Sequence, residues 1–386
     1  VHSDIFPVPH IFLVHGGEIM LRRLSEYLLL PLFLLAVTFM LYESAIFSQA
    51  AYAALQICAS VLIPVLFPFS VLSNYLIRSG LANRVFLPWS KHPAKLFRCE
   101  QKAVCAALMG VLCGYPIGAV CLTALYRKGE LSKTSAEQLP SCCTNASPAF
   151  LIAVVGTRLM GSAQIGILLL AIHTAAAILT RLFYCQSELS SEETSSQSSS
   201  IRPALALTES VHAAGITMIS VSGFVVICSI LCCMIRMLFG ETRMVSAMLC
   251  GLLELTNGLY RLSELPIPSN LKFILFAGLI GFSGICVHLQ VLSVMLPEGL
   301  DVRPYLRGKL LHALCSIVLA VPVSFHLPVS SIPASNITSH GSFSMFFGTS
   351  VWAIFSATMF YTFMWKFPQN CVIIKKRETG RHHHAV

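Results

Sequence analysis

Long apolar runs, broken by short polar stretches, set the pattern of this chain. Runs of membrane length fall at residues 27–43, 51–77, 103–126, 136–156, 162–184, 208–239, 244–262, 271–296, 305–325 and 343–366. A helix needs roughly 17–25 predominantly apolar residues to cross a bilayer. Two of the runs, 103–126 and 244–262, are interrupted near their middles by Gly114-Tyr115-Pro116 and Thr256-Asn257-Gly258. Helix breakers at membrane depth are tolerated where the backbone is buried in protein or lines a cavity, so these two read as re-entrant hairpins. The expected fold is therefore an all-α polytopic membrane protein, with about eight transmembrane helices plus two re-entrant hairpins.

Composition strengthens that reading. Of the 386 residues 55% are hydrophobic and only 11% charged, and mean hydropathy is +0.75. An ordinary soluble domain carries about 25% charged residues, and a core of this size has no room for so large an apolar surplus. Most soluble enzyme folds are excluded. The net charge of +9 becomes a question of membrane topology, and no nucleic-acid partner is expected. The 15 cysteines sit mostly singly inside apolar runs, as at Cys58, Cys105, Cys113, Cys121, Cys250 and Cys315. The adjacent pairs Cys142-Cys143 and Cys232-Cys233 do not suit one tetrahedral metal. They read as small buried hydrophobes, and neither a metal nor a cofactor is expected. His382-His383-His384 reads as incidental.

The charges give an orientation. With the N-terminus inside and both interrupted runs returning to the side they came from, nearly all of the 26 Lys and Arg fall inside, including Lys91 to Lys102, Arg127, Lys128, Lys133, Arg181 and Lys309. Arg158, Arg236, Arg243, Arg261 and Lys272 remain outside or at the outer flanks, as the positive-inside rule requires of short loops. Full crossings would move Arg127, Lys128 and Lys133 outside, so the hairpin topology fits better. Residues 326–342, outside in this topology, hold no Lys or Arg.

More than half of residues 186–200 are Ser, joined by Glu188, Glu192 and Glu193. This composition reads as a flexible linker, and it separates halves of the same plan: a span, a hairpin, a broken span and a span. In the topology above the halves begin on opposite sides. They are inverted repeats, a design in which secondary transporters place substrate near the midplane. The domain reading is an N-terminal segment at 1–26, an anchor helix at 27–43, a first repeat at 51–184, a linker at 185–204, a second repeat at 205–325 and a C-terminal helix with basic tail at 343–386. Residues Gly16-Gly17-Glu18-Ile19-Met20 are encodable by a purine-rich run before a start codon. Met20 is the expected initiator, with residues 1–19 untranslated and Arg22-Arg23 opening an uncleaved anchor.

Four interruptions carry the candidate chemistry: Gly114-Tyr115-Pro116-Ile117-Gly118, Asn145-Ala146-Ser147-Pro148, Thr256-Asn257-Gly258 and Gly281-Phe282-Ser283-Gly284. Asn145-Ala146-Ser147-Pro148 has the grammar of a helix restart, with Ser147 as the cap and proline in the first turn. A restart at membrane depth aims backbone N–H groups and the positive end of a helix dipole into the interior, which favours an anion. One such break is more often a packing kink; four at corresponding places in two halves are a site. The expected substrate-binding residues are Gly114, Tyr115, Pro116, Asn145, Ser147, Asn257, Arg261, Ser283 and Gly284, with Arg261 holding carboxylates and Tyr115 stacking on a ring. Glu254 and His288 are the candidates for coupling to a proton or sodium ion, since ionisable groups at membrane depth are costly. His173 and His312, away from any break, read as packing residues. Gly281-Phe282-Ser283-Gly284 also matches the G-x-S-G of rhomboid intramembrane proteases, with His312 as a conceivable base. A structural role at the matching position of both halves explains it more simply, and the chain is not read as an enzyme.

These residues resemble the YlbJ family of sporulation integral membrane proteins, which carry nucleoside-recognition or Gate-type repeats. The resemblance rests on Leu62-Ile63-Pro64-Val65-Leu66-Phe67-Pro68-Phe69, the segment from Met109 through Gly114-Tyr115-Pro116 to Ala119, Leu125-Tyr126-Arg127-Lys128-Gly129, Cys143-Thr144-Asn145-Ala146-Ser147-Pro148-Ala149-Phe150, and the segment from Gly281 to His288. It covers roughly residues 27–325. It departs at Cys142-Cys143-Thr144 and in the long Ser-rich linker, where altered packing is expected. The resemblance implies a plan similar to concentrative nucleoside transporters and a role in moving dipicolinic acid across the outer forespore membrane. The expectation is thus a transporter of a small anion. An ion-coupled nucleoside carrier and a non-transporting scaffold of a sporulation complex are the alternatives.

Overall fold

The computed structural model describes residues 31–184 and 203–327, apart from residues 32, 33, 36, 241 and 242. The expectations for residues 1–30, for most of the linker, for the run at 343–366 and for the basic tail lie outside the described residues. Among the described residues every regular element is a helix.

The first half opens with α1 (Ser44–Ile57), which runs through a π-helical turn (Cys58–Leu62) into α2 (Ile63–Arg78). The wider turn falls just ahead of Pro64 and carries the chain past a proline that would clash in a tight helix interior. Next comes α3 (Leu81–Leu96), where the sequence reading has only a loop. It buries Ser90 and Ala94 and exposes Arg84, Lys91 and Lys95, so its short apolar face is invisible to a membrane-length search. Then follow α4 (Gln101–Cys113), α5 (Ile117–Arg127), α6 (Lys133–Gln138), α7 (Pro140–Cys143), a π-helical stretch (Phe150–Leu159) and α8 (Ala163–Tyr184). The second half has α9 (Pro203–Phe239), α10 (Met244–Leu253), α11 (Leu255–Glu264), α12 (Ser269–Phe282), α13 (Ile285–Met295) and, after one 3₁₀ turn, α14 (Arg303–Ser324).

Among the described residues four stretches are long and apolar enough to cross a membrane: Ala163–Tyr184, Pro203–Phe239, Ser269–Glu298 and Arg303–Ser324. They coincide with the runs read at 162–184, 208–239, 271–296 and 305–325. The remaining apolar helices, Gln101–Cys113, Ile117–Arg127, Phe150–Leu159 and Met244–Leu253, are shorter. Of the other four expected spans, the runs at 27–43 and 343–366 lie partly or wholly outside the described residues, while a π-helical turn divides 51–77 and the break before Pro148 divides 136–156.

α4 folds back on α5, and α10 on α11. Glycines make the close approach: a Cβ on Gly110 would lie 3.0 Å from the Gly118 Cα, and one on Gly258 only 1.9 Å from the Gly251 Cα. The second hairpin turns one helical turn earlier than the sequence reading placed it. Glu254 is the non-helical residue, with φ −138° and ψ 113°, while Thr256, Asn257 and Gly258 lie inside α11. Glycine at 258 serves the contact with α10 rather than the turn.

One apolar cluster joins α4, α5 and the α13 end through Met109, Ile117, Leu122, Val291 and Met295. A second joins α8, α11, α12 and α14 through Leu169, Leu259, Phe273, Phe276 and Ala320. A third, with Cys58, Val221, Cys228 and Cys286, ties α9 to the first helix and to α13. Among the described residues thirteen cysteines are free and nearly all are buried, as small hydrophobes should be.

Three basic residues that the sequence reading assigns to the inner side bond carbonyls at helix C-termini, where a cation meets the negative end of the dipole. Lys128 reaches Ile77 O at the end of α2. Arg181 reaches Phe97 O and Arg98 O just past α3. Lys309, fully buried, reaches Thr144 O at the end of α7.

Candidate functional site

Each half seats its broken helix on the tip of its own hairpin. In the first, α7 ends at Thr144 and helix resumes at Pro148. The Ser147 hydroxyl accepts the Phe150 N–H at 3.3 Å, so Ser147 caps the restart and Pro148 opens it, as the sequence pattern requires. Gly114, at φ +86°, presses against this cap: a Cβ there would stand 3.1 Å from the Ser147 Cβ. Only glycine combines that left-handed backbone with such an approach. The Cys143 carbonyl sits between Gly110 and Gly118. Pro116, joined to Tyr115 by a cis peptide, precedes α5.

In the second half, α12 ends in left-handed residues at Ser283 (φ +78°) and Gly284 (φ +82°), and α13 begins at Ile285 with no side-chain cap on its first amides. A Cβ on Gly284 would lie 3.2 Å from the Leu255 N and 3.4 Å from the Gly251 O, at the tip of the α10–α11 hairpin. The Ser283 hydroxyl is fully buried and donates to Ile280 O at 3.4 Å.

The halves meet at the tips. Tyr115 packs against both of the larger apolar clusters and lies within electrostatic range of Glu254 and Cys286. Glu254 turns its carboxylate onto its own helix: Oε1 accepts the Thr256 N–H at 3.1 Å, and Oε2 accepts the Asn257 N–H and side-chain amide, both at 2.8 Å. Asn257 also reaches Ser229 at 3.4 Å. His288, one turn past Gly284, pairs its Nδ1 with the Tyr305 hydroxyl at 2.7 Å and stands edge-on to Phe282.

Gly114, Tyr115, Pro116, Asn145, Ser147, Ser283 and Gly284 thus lie at breaks or tips, with Glu254, Asn257 and His288 beside them. Arg261 does not join them. It is half-buried in the last turn of α11, roughly 10 Å along that helix from Glu254.

The cation at the first break is Lys309, which the sequence reading counted as loop charge. Its Nζ lies 2.9 Å from Thr144 O and 3.2 Å from His312 Nδ1. His312 Nε2 lies 3.1 Å from His173 O, the two imidazoles stack at 4.6 Å, and His173 Nε2 accepts the Ala146 N–H at 3.1 Å. His173 and His312, read as packing residues, are therefore tied to the break. The available signal was Lys309 and His312 three residues apart on one helical face, inside an apolar run. His312 is committed to Lys309 and His173, while the Ser283 hydroxyl is bonded to its own helix.

Buried side-chain atoms that lack a hydrogen-bond partner gather around these breaks: Tyr115 OH, Thr144 Oγ1, Asn145 Oδ1, His173 Nδ1, His288 Nε2 and Ser316 Oγ. Ser316 is beside Gly281, one turn before the second break. Buried polar groups are normally satisfied, so such a concentration marks a place built to meet a polar ligand or water.

Apolar helices of membrane length, two hairpins and two helix breaks define a helical integral membrane protein with an interior polar site. The chain is 25% identical over 345 residues to the sporulation integral membrane protein YlbJ of Bacillus subtilis (strain 168), covering 78% of this chain and 83% of that protein. That likeness bears out the YlbJ-type resemblance read from the motifs. No protein-family model matches the chain, and no solved structure matches it.

Proposed function

We propose that this chain is a sporulation membrane transporter that moves a small anionic metabolite, dipicolinic acid, across the outer forespore membrane, with both termini cytoplasmic. In this reading eight spans and two re-entrant hairpins form inverted repeats, and the substrate binds where the two breaks and the two tips converge. The observation that carries it is the seating of each broken helix on its own hairpin tip, Gly114 on Ser147 and Gly284 on Leu255. Such a pairing, once in each half, fits the plan of transporters whose discontinuous helices meet at a central site between repeats.

Two physical arguments support the details. The 10-residue helices α10 and α11 are each about 15 Å long, half of the roughly 30 Å hydrocarbon core, so a hairpin returns where a span would cross. The uncapped first turn of α13 offers amide N–H groups to an anion. The sporulation setting comes from the relative. For coupling to a proton, His288 with its unpartnered Nε2 is better placed than Glu254, whose two oxygens are engaged.

Uptake into proteoliposomes separates the readings. Labelled dipicolinate accumulates and uridine does not if the anion reading holds; the reverse supports a nucleoside carrier, and uptake of neither supports a scaffold.

A further inference from the structure

The hydrogen bonds around Lys309 fix which atoms are donors. His312 Nε2 faces a carbonyl oxygen and so carries a proton, which leaves Nδ1 of the neutral ring to accept from Lys309. His173 Nε2 accepts a backbone N–H, so the neutral ring carries its proton on Nδ1, and that N–H has no partner. An ammonium has three donors; Thr144 O and His312 Nδ1 take two. The Thr144 hydroxyl, fully buried, is also unpartnered. Among the described residues no carboxylate lies within ion-pair distance of Lys309. A buried ammonium with spare donors beside it and no counter-ion is costly, and an acceptor-rich anion would offset that cost.

We infer that Lys309, the His173 Nδ1–H and the Thr144 hydroxyl form a carboxylate-binding station at the first helix break, supplying the cation that Arg261 does not. A carboxylate has acceptor sites on two oxygens and suits a set in which the ammonium, the imidazole N–H and the hydroxyl can each donate. The Asn145 Oδ1 beside the station is an acceptor without a donor, which favours a ligand that also carries a proton, such as a half-protonated dicarboxylate. The station deepens the transport reading and rests on it for the identity of the substrate.

The test is calorimetric titration of the full-length protein in detergent with dipicolinate, with benzoate and with neutral pyridine-2,6-dicarboxamide. The expected result is that the carboxylates bind and the diamide does not. Lys309→Gln then weakens carboxylate binding roughly ten- to hundredfold, and Lys309→Arg restores part of it. Because Lys309 also caps α7, the near-isosteric Thr144→Val is the second variant: it keeps the bond from Lys309 to the Thr144 carbonyl and removes only the hydroxyl, and it too weakens binding. Failure of the wild-type protein to bind any carboxylate overturns the station, as does wild-type affinity in folded Lys309→Gln and Thr144→Val. Carboxylate binding with this variant pattern but no dipicolinate uptake in vesicles upholds the station and removes the transport reading.

Discussion

Glu254 caps the helix that starts beside it, its Oε2 accepting the Asn257 N–H at 2.8 Å. A carboxylate at a helix N-terminus satisfies orphan amides and meets the positive end of the dipole. Glu254→Ala leaves the Thr256 and Asn257 amides without that acceptor and is expected to lower stability by about 0.5–2 kcal/mol. Glu254→Gln keeps one oxygen and costs less. Thermal unfolding in detergent checks this order, and equal melting temperatures for all three proteins would show that the hairpin turn does not depend on the cap.

The contact of Gly251 with Gly258 allows no side chain. A Cβ on Gly258 would overlap the Gly251 backbone, so Gly258→Ala forces α10 and α11 apart and is expected to reduce the yield of folded protein sharply. Gly215 on α9 is the control, since a Cβ there meets nothing within 4 Å. Gly215→Ala is expected to gain about 0.5–1 kcal/mol from helix propensity. Size-exclusion profiles compare the two, and a monodisperse Gly258→Ala protein with a wild-type melting temperature counts against the hairpin.

Glu100 lies between α3 and α4, outside the candidate spans. It accepts the Ser132 N–H at 3.0 Å and the Ser135 hydroxyl at 2.6 Å. Burial alone would raise its carboxyl, but the bonds from Ser132 and Ser135 outweigh burial and hold it below the usual carboxylate range. A depressed folded-state value gives stability that is present above the unfolded value, about 4.3, and lost as pH falls through the folded one. The wild-type protein is therefore expected to melt above Glu100→Gln at pH 7, with the gap closing below about pH 4. A gap that stays constant with pH would assign the difference to packing.

Much of this architecture is legible from residue spacing. The four qualifying spans follow from apolar length, and the cap at Ser147 follows from Ser147-Pro148, because Ser and Pro at a helix start act through local chemistry. The turn at Glu254 was missed by one helical turn since glycine at 258 marks a close helix contact as readily as a turn, and the sequence does not distinguish the two. Lys309 was missed for a related reason. A lysine near the end of an apolar run resembles loop charge until tertiary packing places Thr144, His173 and His312 around it. Arg261 attracted attention as a cation near a break, yet its place in the last turn of α11 carries it away from the tips. The helix α3 escaped a search tuned to membrane length because half of its face is polar.

The most direct test of the central claim is the initial rate of dipicolinate uptake into proteoliposomes, measured for the wild-type protein and for Asn145→Ala and Ser283→Ala at matched amounts of folded protein. Asn145 presents an unpartnered Oδ1 at the first break, and Ser283 sits at the second in the left-handed region. Saturable uptake by the wild-type protein, slowed roughly tenfold or more in each variant, the size of one lost hydrogen bond, is the predicted result. Uptake by both variants at the wild-type rate would contradict it.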